Sequence, residues 1–329
     1  AAVRANFEIN KINKEKKEGI EKACIEILEE NHKNQFPISS MQGGAGTSTN
    51  MNVNEVIANI AIEKLGGKKG DYDLVHPIED VNLSQSTNDV YPTALKIAII
   101  ELLNDLVNKV MDLQSQLQDK EREFSDIFKI GRTQLQDAVP ISLGQEFGAY
   151  ADAVARDRWR LYKIEERIRQ INIGGTAIGT GVGAPMKYRF NITQELQRIT
   201  GLGLARAENL IDNTQNMDLY VEVSGLLKSL AVNLKKIAND LRLMDSGPNS
   251  GINEINLPKI QVGSSIMPGK VNPVGAEYII QICYKIFAND SAITMASADG
   301  EFELNAMHPL VAELMLENLE LLIDGVNMF

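Results

Sequence analysis

Long stretches of helical periodicity are the feature that most limits how this chain can fold. Between residues 89 and 128, apolar side chains recur every three or four positions, as in a stripe along one face of a helix. The stripe consists of Leu102, Leu106, Val110, Leu113 and Leu117. It fits either burial within one chain or contact with another subunit. No strand-like alternation of apolar and polar residues persists over six residues, so the pattern predicts an all-α protein.

The predicted helices are long, and short connections join most of them. They cover residues 8–31, 52–65, 89–128, 140–170, 207–244, 270–298 and 309–326. Because long helices with short connections pack antiparallel, we expect a long up-down helical bundle of about five helices per subunit. Polar or glycine-rich connections are predicted at residues 131–139, 174–183 and 246–268.

The composition narrows the functional classes. The 329 residues are 44% hydrophobic, enough for a substantial core, and the formal net charge of -11 argues against a nucleic-acid partner. No apolar run reaches the length of a membrane span and no charged-then-apolar leader opens the chain, so we expect neither membrane insertion nor secretion. Cys24 and Cys283 are too few for a disulfide framework, and we expect reduced thiols in a cytoplasmic protein.

Neither a metal nor a cofactor is predicted. The histidines, His32, His76 and His308, stand in no recognisable arrangement for a Ser–His–Asp triad. No His, Cys and Asp residues occur together at the spacing of metal ligands. Any chemistry must therefore come from the polar loops between the helices.

The first polar loop runs from Gln42 to Asn52. Its glycines allow a ligand to approach the backbone closely, and hydroxyl and amide side chains then open a helix. The free N–H groups at such a helix start suit a carboxylate. The alternative is an ordinary helix start at which Thr47 or Ser48 is merely the cap.

The second polar loop runs from Asn82 to Asp89. Ser86 followed three residues later by Asp89 is typical of a capping box, so an ordinary helix start is again an alternative. Capping alone does not explain why the loop contains so many further small hydrogen-bonding side chains. These are Ser84, Gln85, Thr87 and Asn88.

Two more polar loops follow in the sequence. The third, Gly131 to Asp137, could hold a local ion pair between Arg132 and Asp137, which leaves Thr133 and Gln134 to face a site. The fourth, Gly263 to Pro273, is a glycine-led turn followed by a predicted helix start. Its Lys270 and Asn272 stand where side chains and N–H groups would converge on an anion.

The fourth loop reads GSSIMPGKVNP, and it matches the signature G-S-S-x-M-P-x-K-x-N-P of the fumarase/aspartase superfamily. Five further segments match in the order of that superfamily: QGGAGTSTNMNVNEV, VNLSQSTNDVYPT, GRTQLQDAVP, GTAIGTG and SGPNSGINEINLP. The resemblance covers essentially the whole chain. Fumarases typically carry TGSGT in the first loop and Thr-His in the third, so this chain resembles the aspartase branch more closely. Gln134 stands in place of that histidine, and Asn249 departs from the arginine usual after Ser-Gly-Pro.

The resemblance implies reversible elimination of ammonia from L-aspartate to give fumarate, through an enediolate (aci-carboxylate) intermediate. It implies Ser264 as the general base, with Ser265 the next candidate. The implied donors to the enediolate are Thr47, Ser86, Thr87 and Ser265. Lys270 and Asn272 would hold the α-carboxylate, with Thr133 assisting. Asn88 would face the leaving amine, as would Gln134 where it replaces the family histidine.

The same resemblance implies a homotetramer in which each active site is shared between three subunits. Five long helices per subunit would form its twenty-helix core. We expect residues 1–84 to be the remainder of an N-terminal helical domain and residues 85–329 to be the central long-helix bundle. The chain opens and stops within helical patterns, so we expect it to be the middle part of a longer protein. The family's C-terminal small domain is expected to be absent from these 329 residues.

Three other functions stay open at this stage. The first is a fumarate hydratase, which would use the same loops on malate and fumarate. The second is a non-catalytic, crystallin-like structural relative, and the third is a helical interaction scaffold. The last two predict degenerate polar loops. Retention of Thr47, Ser86, Ser264, Lys270 and Asn272 favours the enzyme.

Overall fold

The computed structural model describes all 329 residues and confirms the all-α prediction. The helices are α1 (Ala2–Glu8), α2 (Lys14–Leu28), α3 (Thr47–Lys64), α4 (Thr87–Glu123), α5 (Leu143–Ile168), α6 (Met186–Thr200), α7 (Leu210–Gln215), α8 (Asp218–Met244), α9 (Val274–Ala298) and α10 (His308–Met328). A 3₁₀ turn covers Lys33–Gln35 and a π-helical turn covers Pro77–Val81. The strands are β1 (Phe128–Thr133) and β2 (Gln136–Ser142), which pair antiparallel, and β3 (Gln170–Ile171) and β4 (Ala205–Arg206), which pair parallel.

The hairpin of β1 and β2 replaces a predicted loop and a predicted helix start. Gln134 and Leu135, the two turn residues, both have positive φ, at 54° and 63°, as a two-residue hairpin turn requires. Pro140 lies within β2 and does not begin a helix; α5 begins at Leu143. The loop and the helix start were predicted wrongly because most residues of β1 and β2 are exposed on both faces of the hairpin. Strands without a buried face need no sustained alternation of apolar and polar residues, which is the pattern that identifies a strand in a sequence.

Several helix boundaries also differ from the predicted ones. The stretch predicted as one helix over residues 8–31 is interrupted at Asn10, which has a φ of 58°, and α2 begins after Asn13, whose side chain accepts from the N–H of Lys16. The segment over 207–244 is two helices, α7 and α8, and α6 was not predicted. α9 begins at Val274 and not at Lys270, because a residue that precedes a proline, here Asn272 before Pro273, is kept out of the helical region.

The chain divides into two compact units. The first comprises Ala1–Ala98, Arg167–Tyr220 and Ile293–Leu314. Its apolar core is built from α1, α2 and α3 and the turns beside them. The buried members are Val3, Ile12, Ile20, Ala23, Ala58, Ile60, Ala61, Ile62, Val75 and Val81. These positions recur at helical spacing, which is why α2 and α3 form and pack together.

The second unit comprises Ile99–Glu166, Val221–Ala292 and Met315–Phe329. It contains segments of five long helices, α4, α5, α8, α9 and α10, as predicted. Two hydrogen bonds show that α5 and α8 run antiparallel: Tyr150 donates to Asp240 over 2.8 Å, and further along α5 Asp157 accepts from Asn233 over 2.7 Å. The numbers rise along α5 while they fall along α8. The units are not the same ranges as the predicted domains 1–84 and 85–329, which stay a prediction. No helix has the length and apolar character needed to cross a membrane.

Candidate active site

Within the first loop, Gly46 packs directly against the ring of Tyr91. Gly46 is the N-cap of α3 with a φ of 88°, and Thr47 is the first helical residue. No side chain caps this helix, so the alternative role of Thr47 or Ser48 as a cap is wrong. A Cβ added to Gly46 would lie 2.5 Å from the ring of Tyr91, so only glycine fits here. The exposed hydroxyl of Thr47 therefore does not cap the helix and is available to a ligand at the helix start.

The second loop has the capping geometry that its sequence predicts. The Ser86 Oγ accepts from the N–H of Asn88 over 3.2 Å, and the N–H of Ser86 donates to Asp89 Oδ1 over 3.0 Å. Capping does not exclude a second role. The Ser86 oxygen accepts in this arrangement, so its hydroxyl proton remains available to a ligand.

The first and second loops meet at Thr87, a buried residue. Asn50 donates to the Thr87 Oγ1 over 3.0 Å and to Asn82 Oδ1 over 3.2 Å. Asn54 also donates to Asn82 Oδ1, over 3.1 Å. The Thr87 oxygen is therefore already an acceptor, and its proton is left free to donate. Neither Asn50 nor Asn82 was predicted as part of the site, and only the run of small polar residues pointed to them.

The second loop is also tied to a glycine loop, Gly174 to Gly183. Asn88 Nδ2 donates to the carbonyl of Ala177 over 2.8 Å, and Asn172 Nδ2 donates to the carbonyl of Asn88 over 3.0 Å. Asp89 is fully buried beside this loop. Burial raises the pKa of Asp89 to about 6, although N–H groups of Ser86, Thr176 and Gly174 oppose the rise by hydrogen bonding to the carboxylate.

The third loop forms the tip of the hairpin. Thr133 ends β1, Gln134 is the first turn residue, and both are exposed. The local ion pair predicted between Arg132 and Asp137 is absent, although the two residues face each other across the strands. Arg132 instead pairs over 2.6 Å with Glu254, a part-exposed carboxylate that also lies beside a second cation.

That second cation is Lys129. It lies 2.7 Å from Glu254 and 2.7 Å from Glu146, and so joins the hairpin to α5 and to the segment that leads to the fourth loop. Burial by itself would raise the pKa of Glu254, but the hydrogen bonds from Lys129 and Arg132 outweigh it and hold that pKa below its ordinary value. The network therefore keeps a charged carboxylate between the hairpin and the fourth loop.

The fourth loop is closed by its own hydrogen bonds. Ser264 Oγ accepts from the N–H of Ile266 over 3.2 Å and from the N–H of Met267 over 3.0 Å. The N–H of Gly263 donates to the carbonyl of Lys270 over 3.0 Å, and Asn272 Nδ2 donates to the carbonyl of Gly263 over 2.9 Å. Asn272 thus braces the loop, where the sequence led us to expect it at a helix start.

A cavity of about 1040 Å³ in the second unit opens beside this loop. Lys270 and Asn272 line it together with two further cations, Arg242 and Lys259. The carboxylates of Asp245 and Glu277 line the same cavity and offset part of this charge, and Glu277 lies 3.8 Å from Arg242. A concave surface with several cations raises the local concentration of anions. No group of three or more His, Cys, Asp or Glu side chains is arranged to hold a metal ion.

The predicted site residues divide between the two units. The first unit brings together Thr87, Ser86 and Asn88 and links them to the helix that begins at Thr47. The second unit contains Thr133, Gln134, Ser264, Ser265, Lys270 and Asn272. Within it, Glu254 links the hairpin to the segment that precedes Ser264.

Comparisons with known proteins agree with the motifs. The family model described as lyase matches residues 1–288. An aspartate ammonia-lyase of Corynebacterium glutamicum is 49% identical over 323 residues, which is 98% of this chain and 61% of that protein. One from Helicobacter pylori is 48% identical over 322 residues, 98% of this chain and 69% of that protein. The chain thus spans 61% and 69% of the lengths of these two relatives.

A solved structure supports the same grouping. It is described as a fumarate lyase:delta crystallin from Brucella melitensis bound to cobalt, with a TM-score of 0.96 and 47% identity. The match covers 99% of this chain and 71% of that one. With the loop motifs in place and relatives matched over nearly the whole chain, the chain belongs to the fumarase/aspartase superfamily of lyases, within which it groups with the aspartate ammonia-lyases.

Proposed function

We propose that the protein catalyses the reversible elimination of ammonia from L-aspartate to give fumarate. The support is the 49% and 48% identity with proteins named aspartate ammonia-lyase, over 98% of this chain in each case. The loops described above retain Thr47, Ser86, Ser264, Lys270 and Asn272, to which the proposed chemistry is assigned. Fumarate hydratase remains the second candidate, since amine and water are distinguished by few contacts.

The difficult step is removal of a proton from the carbon next to the β-carboxylate. The carboxylate becomes an enediolate that carries a second negative charge. A site makes this feasible by aiming preorganised donors at the place where charge develops, each worth about 3–4 kcal/mol in comparable oxyanion sites. We assign that role to the hydroxyls of Thr47, Ser86, Thr87 and Ser265. For Ser86 and Thr87 the oxygen already accepts a hydrogen bond, which leaves the proton of the hydroxyl free to donate.

Ser264 is the general base in this proposal, and its surroundings carry the assignment. Two main-chain N–H groups, those of Ile266 and Met267, donate to the Ser264 Oγ over 3.2 Å and 3.0 Å. Donors to an oxygen favour its charged form, so these two bonds stabilise an alkoxide relative to the neutral hydroxyl. No main-chain N–H group donates to the Oγ of Ser265, which is exposed. The contrast supports Ser264 over Ser265 as the base.

The remaining side chains would hold the two ends of the substrate. Lys270 and Asn272, assisted by Thr133, bind the α-carboxylate, and Asn88 and Gln134 face the leaving amine. The exposed Lys270 has no ion-pair partner, which suits a cation kept for a ligand. The amide of Asn272 donates one of its two N–H groups to Gly263, so the other remains available to a carboxylate.

We further propose that the protein acts as a homotetramer whose active sites are shared between three subunits. The support is the family to which the chain belongs, together with large apolar side chains exposed on the long helices of the second unit. These are Trp159 and Tyr162 on α5, Val232 on α8 and Tyr284 on α9, each more than half exposed. Contact with other subunits would remove this apolar surface from water.

The cytoplasm is the proposed location. Cys24 and Cys283 are both free thiols, as expected in a reducing compartment. Fractionation of cells with an antibody to the protein tests this directly. Recovery in a membrane or extracellular fraction would contradict it.

The choice of substrate is tested on the wild-type protein with L-aspartate and L-malate, by following the ultraviolet absorbance of fumarate. We expect fumarate to form from L-aspartate and not from L-malate. Formation from malate alone would overturn the aspartase proposal in favour of the hydratase. A folded protein that converts neither would favour the non-catalytic relative.

A further inference from the structure

Asp89 forms a bridge between two loops that lie far apart in the sequence. Its Oδ1 accepts from the N–H of Ser86 over 3.0 Å, while its Oδ2 accepts from the N–H of Gly174 over 3.0 Å and from that of Thr176 over 2.9 Å. The side chain is fully buried, and it forms no ion pair. A carboxylate held by main-chain N–H groups alone has its position fixed by the backbone of both loops.

The first oxygen acts on the second loop. Ser86 and Asn88 flank Thr87 at the first turn of α4, which are the positions proposed to donate to the enediolate and to face the amine. The Asp89 carboxylate also lies at the N-terminus of this helix, where a negative charge is stabilised by the helix dipole. Helix start and donor set are therefore held by the same group.

The second oxygen acts on the glycine loop, where the backbone is strained. Thr176 has a φ of 57°, a conformation that β-branched residues rarely adopt. Its Oγ1 lies 2.7 Å from the carbonyl oxygen of Gly175 and 2.8 Å from that of Val182, so its single proton is donated within the loop. Such strain persists only where the surroundings over-determine it, and it concentrates at functional sites.

Asn172 provides a second tie between the same loops. Its Nδ2 donates to the carbonyl of Asn88 over 3.0 Å and to the Thr214 Oγ1 over 2.9 Å, in a fully buried position. Asn88 in turn donates to Ala177 over 2.8 Å. The second loop is thus held against the glycine loop on both sides of the proposed donors.

We propose that Asp89, assisted by Asn172, is a positioning residue for the lyase reaction, because it fixes Ser86, Thr87 and Asn88 against the glycine loop in the geometry that the enediolate requires. The inference rests on the proposed function of these three residues. It differs from a cap in one respect. A cap would serve only the start of α4, whereas this carboxylate also needs the N–H groups of the glycine loop.

The test is Asp89→Asn in the intact protein, assayed at about pH 8. An amide has one acceptor oxygen, so the variant cannot accept on both sides and places an N–H against an N–H. We expect kcat to fall roughly 10²-fold while KM changes little, as a small misplacement of catalytic groups predicts. The amides of Gly174 and Thr176 should also exchange with deuterium faster than in the wild type.

Thr193→Val is the matched control. Thr193 is buried in the same unit, and its hydroxyl has no hydrogen-bond partner, so we expect wild-type kcat and wild-type exchange. Where Asp89→Asn does not fold, Asn172→Ala gives the answer, since it removes the second tie and leaves the carboxylate in place. Wild-type kcat in Asn172→Ala overturns the positioning role. Wild-type kcat in folded Asp89→Asn, together with unchanged amide exchange of Gly174 and Thr176, also overturns it. A wild type that does not convert L-aspartate overturns the proposed function instead, and the exchange experiment still decides whether Asp89 holds the glycine loop.

Discussion

Asn50 Nδ2 lies 3.0 Å from the Thr87 Oγ1, in a buried contact between α3 and the first turn of α4. The bond occupies the acceptor side of the Thr87 hydroxyl and so decides where its proton can point. A residue of the first loop thereby controls a proposed donor of the second loop.

Replacement of Asn50 should therefore lower turnover. In Asn50→Ala the Thr87 hydroxyl can rotate, and we expect kcat to fall about tenfold or more, with a stability loss of about 1–3 kcal/mol from the broken buried bonds. Steady-state kinetics and thermal unfolding measure the two effects. Asn54→Ala is the control, because Asn54 also donates to Asn82 but not to Thr87. Equal losses of kcat in both variants would contradict a specific effect on Thr87.

Gly46 offers a second pair of matched variants. Gly46→Ala places a Cβ 2.5 Å from the Tyr91 ring at a φ of 88°, so the variant has both a steric clash and backbone strain. Gly183→Ala has a similar φ of 89° with no atom within 4 Å. We expect a loss of about 1 kcal/mol for Gly183→Ala and distinctly more for Gly46→Ala. Because Thr47 follows Gly46, kcat should fall only in the Gly46 variant, and similar kinetics for both variants would argue against this.

Glu254 links the hairpin to the fourth loop through two cations. Glu254→Gln leaves Lys129 and Arg132 without their shared carboxylate, and we expect about 1–3 kcal/mol lower stability together with reduced kcat. Glu123→Gln is the control, since Glu123 pairs with Lys120 at an exposed site, and such pairs contribute about 0–1 kcal/mol. Chemical denaturation and kinetics of both variants provide the measurement. A neutral Glu254→Gln would show that the network does not brace the site.

The buried side chain of Lys96 should make the free energy of unfolding depend on pH. Burial lowers its pKa from 10.5 to about 8, although Asp218 opposes this, and its Nζ donates to the Gln170 carbonyl and to Asn213. Between about pH 8 and 10.5 the unfolded chain binds more protons at this lysine than the native protein does. Stability from this group therefore rises with pH across that window, by up to about 3 kcal/mol.

The variant Lys96→Met removes this contribution. We expect the unfolding free energy of the wild type, minus that of Lys96→Met, to increase as pH rises through the window. Denaturant titrations at several pH values measure the difference. A difference that is flat or falls with pH would show that Lys96 is not desolvated in the native protein.

The fold was predictable where one face of a helix is buried along its whole length. The stripe through Leu106 and Val110 identifies α4 because each of these side chains contacts the core. The hairpin was not predictable, since its strands are largely exposed and its turn residues, Gln134 and Leu135, are not the asparagine and glycine that favour such turns. Where no face of an element is buried, the spacing of its apolar residues does not indicate the secondary structure.

The site was predictable in its polar loops and not in its long-range bonds. Ser86 and Asp89 are three residues apart, so their capping geometry could be read from the sequence. The other half of the Asp89 bridge reaches Gly174 and Thr176, far along the chain, and only packing in three dimensions brings them together. The bracing role of Asn272 was likewise hidden, because it depends on where Pro273 allows α9 to begin.

The most direct test of the account compares Ser264→Ala and Ser265→Ala in fumarate formation from L-aspartate. The two main-chain donors to Ser264 Oγ assign it as the base, so we predict that kcat falls about 10²–10⁴-fold in Ser264→Ala. Ser265→Ala loses one proposed donor and should keep measurably more activity. Near wild-type turnover in Ser264→Ala, with loss of turnover in Ser265→Ala, would contradict the assignment.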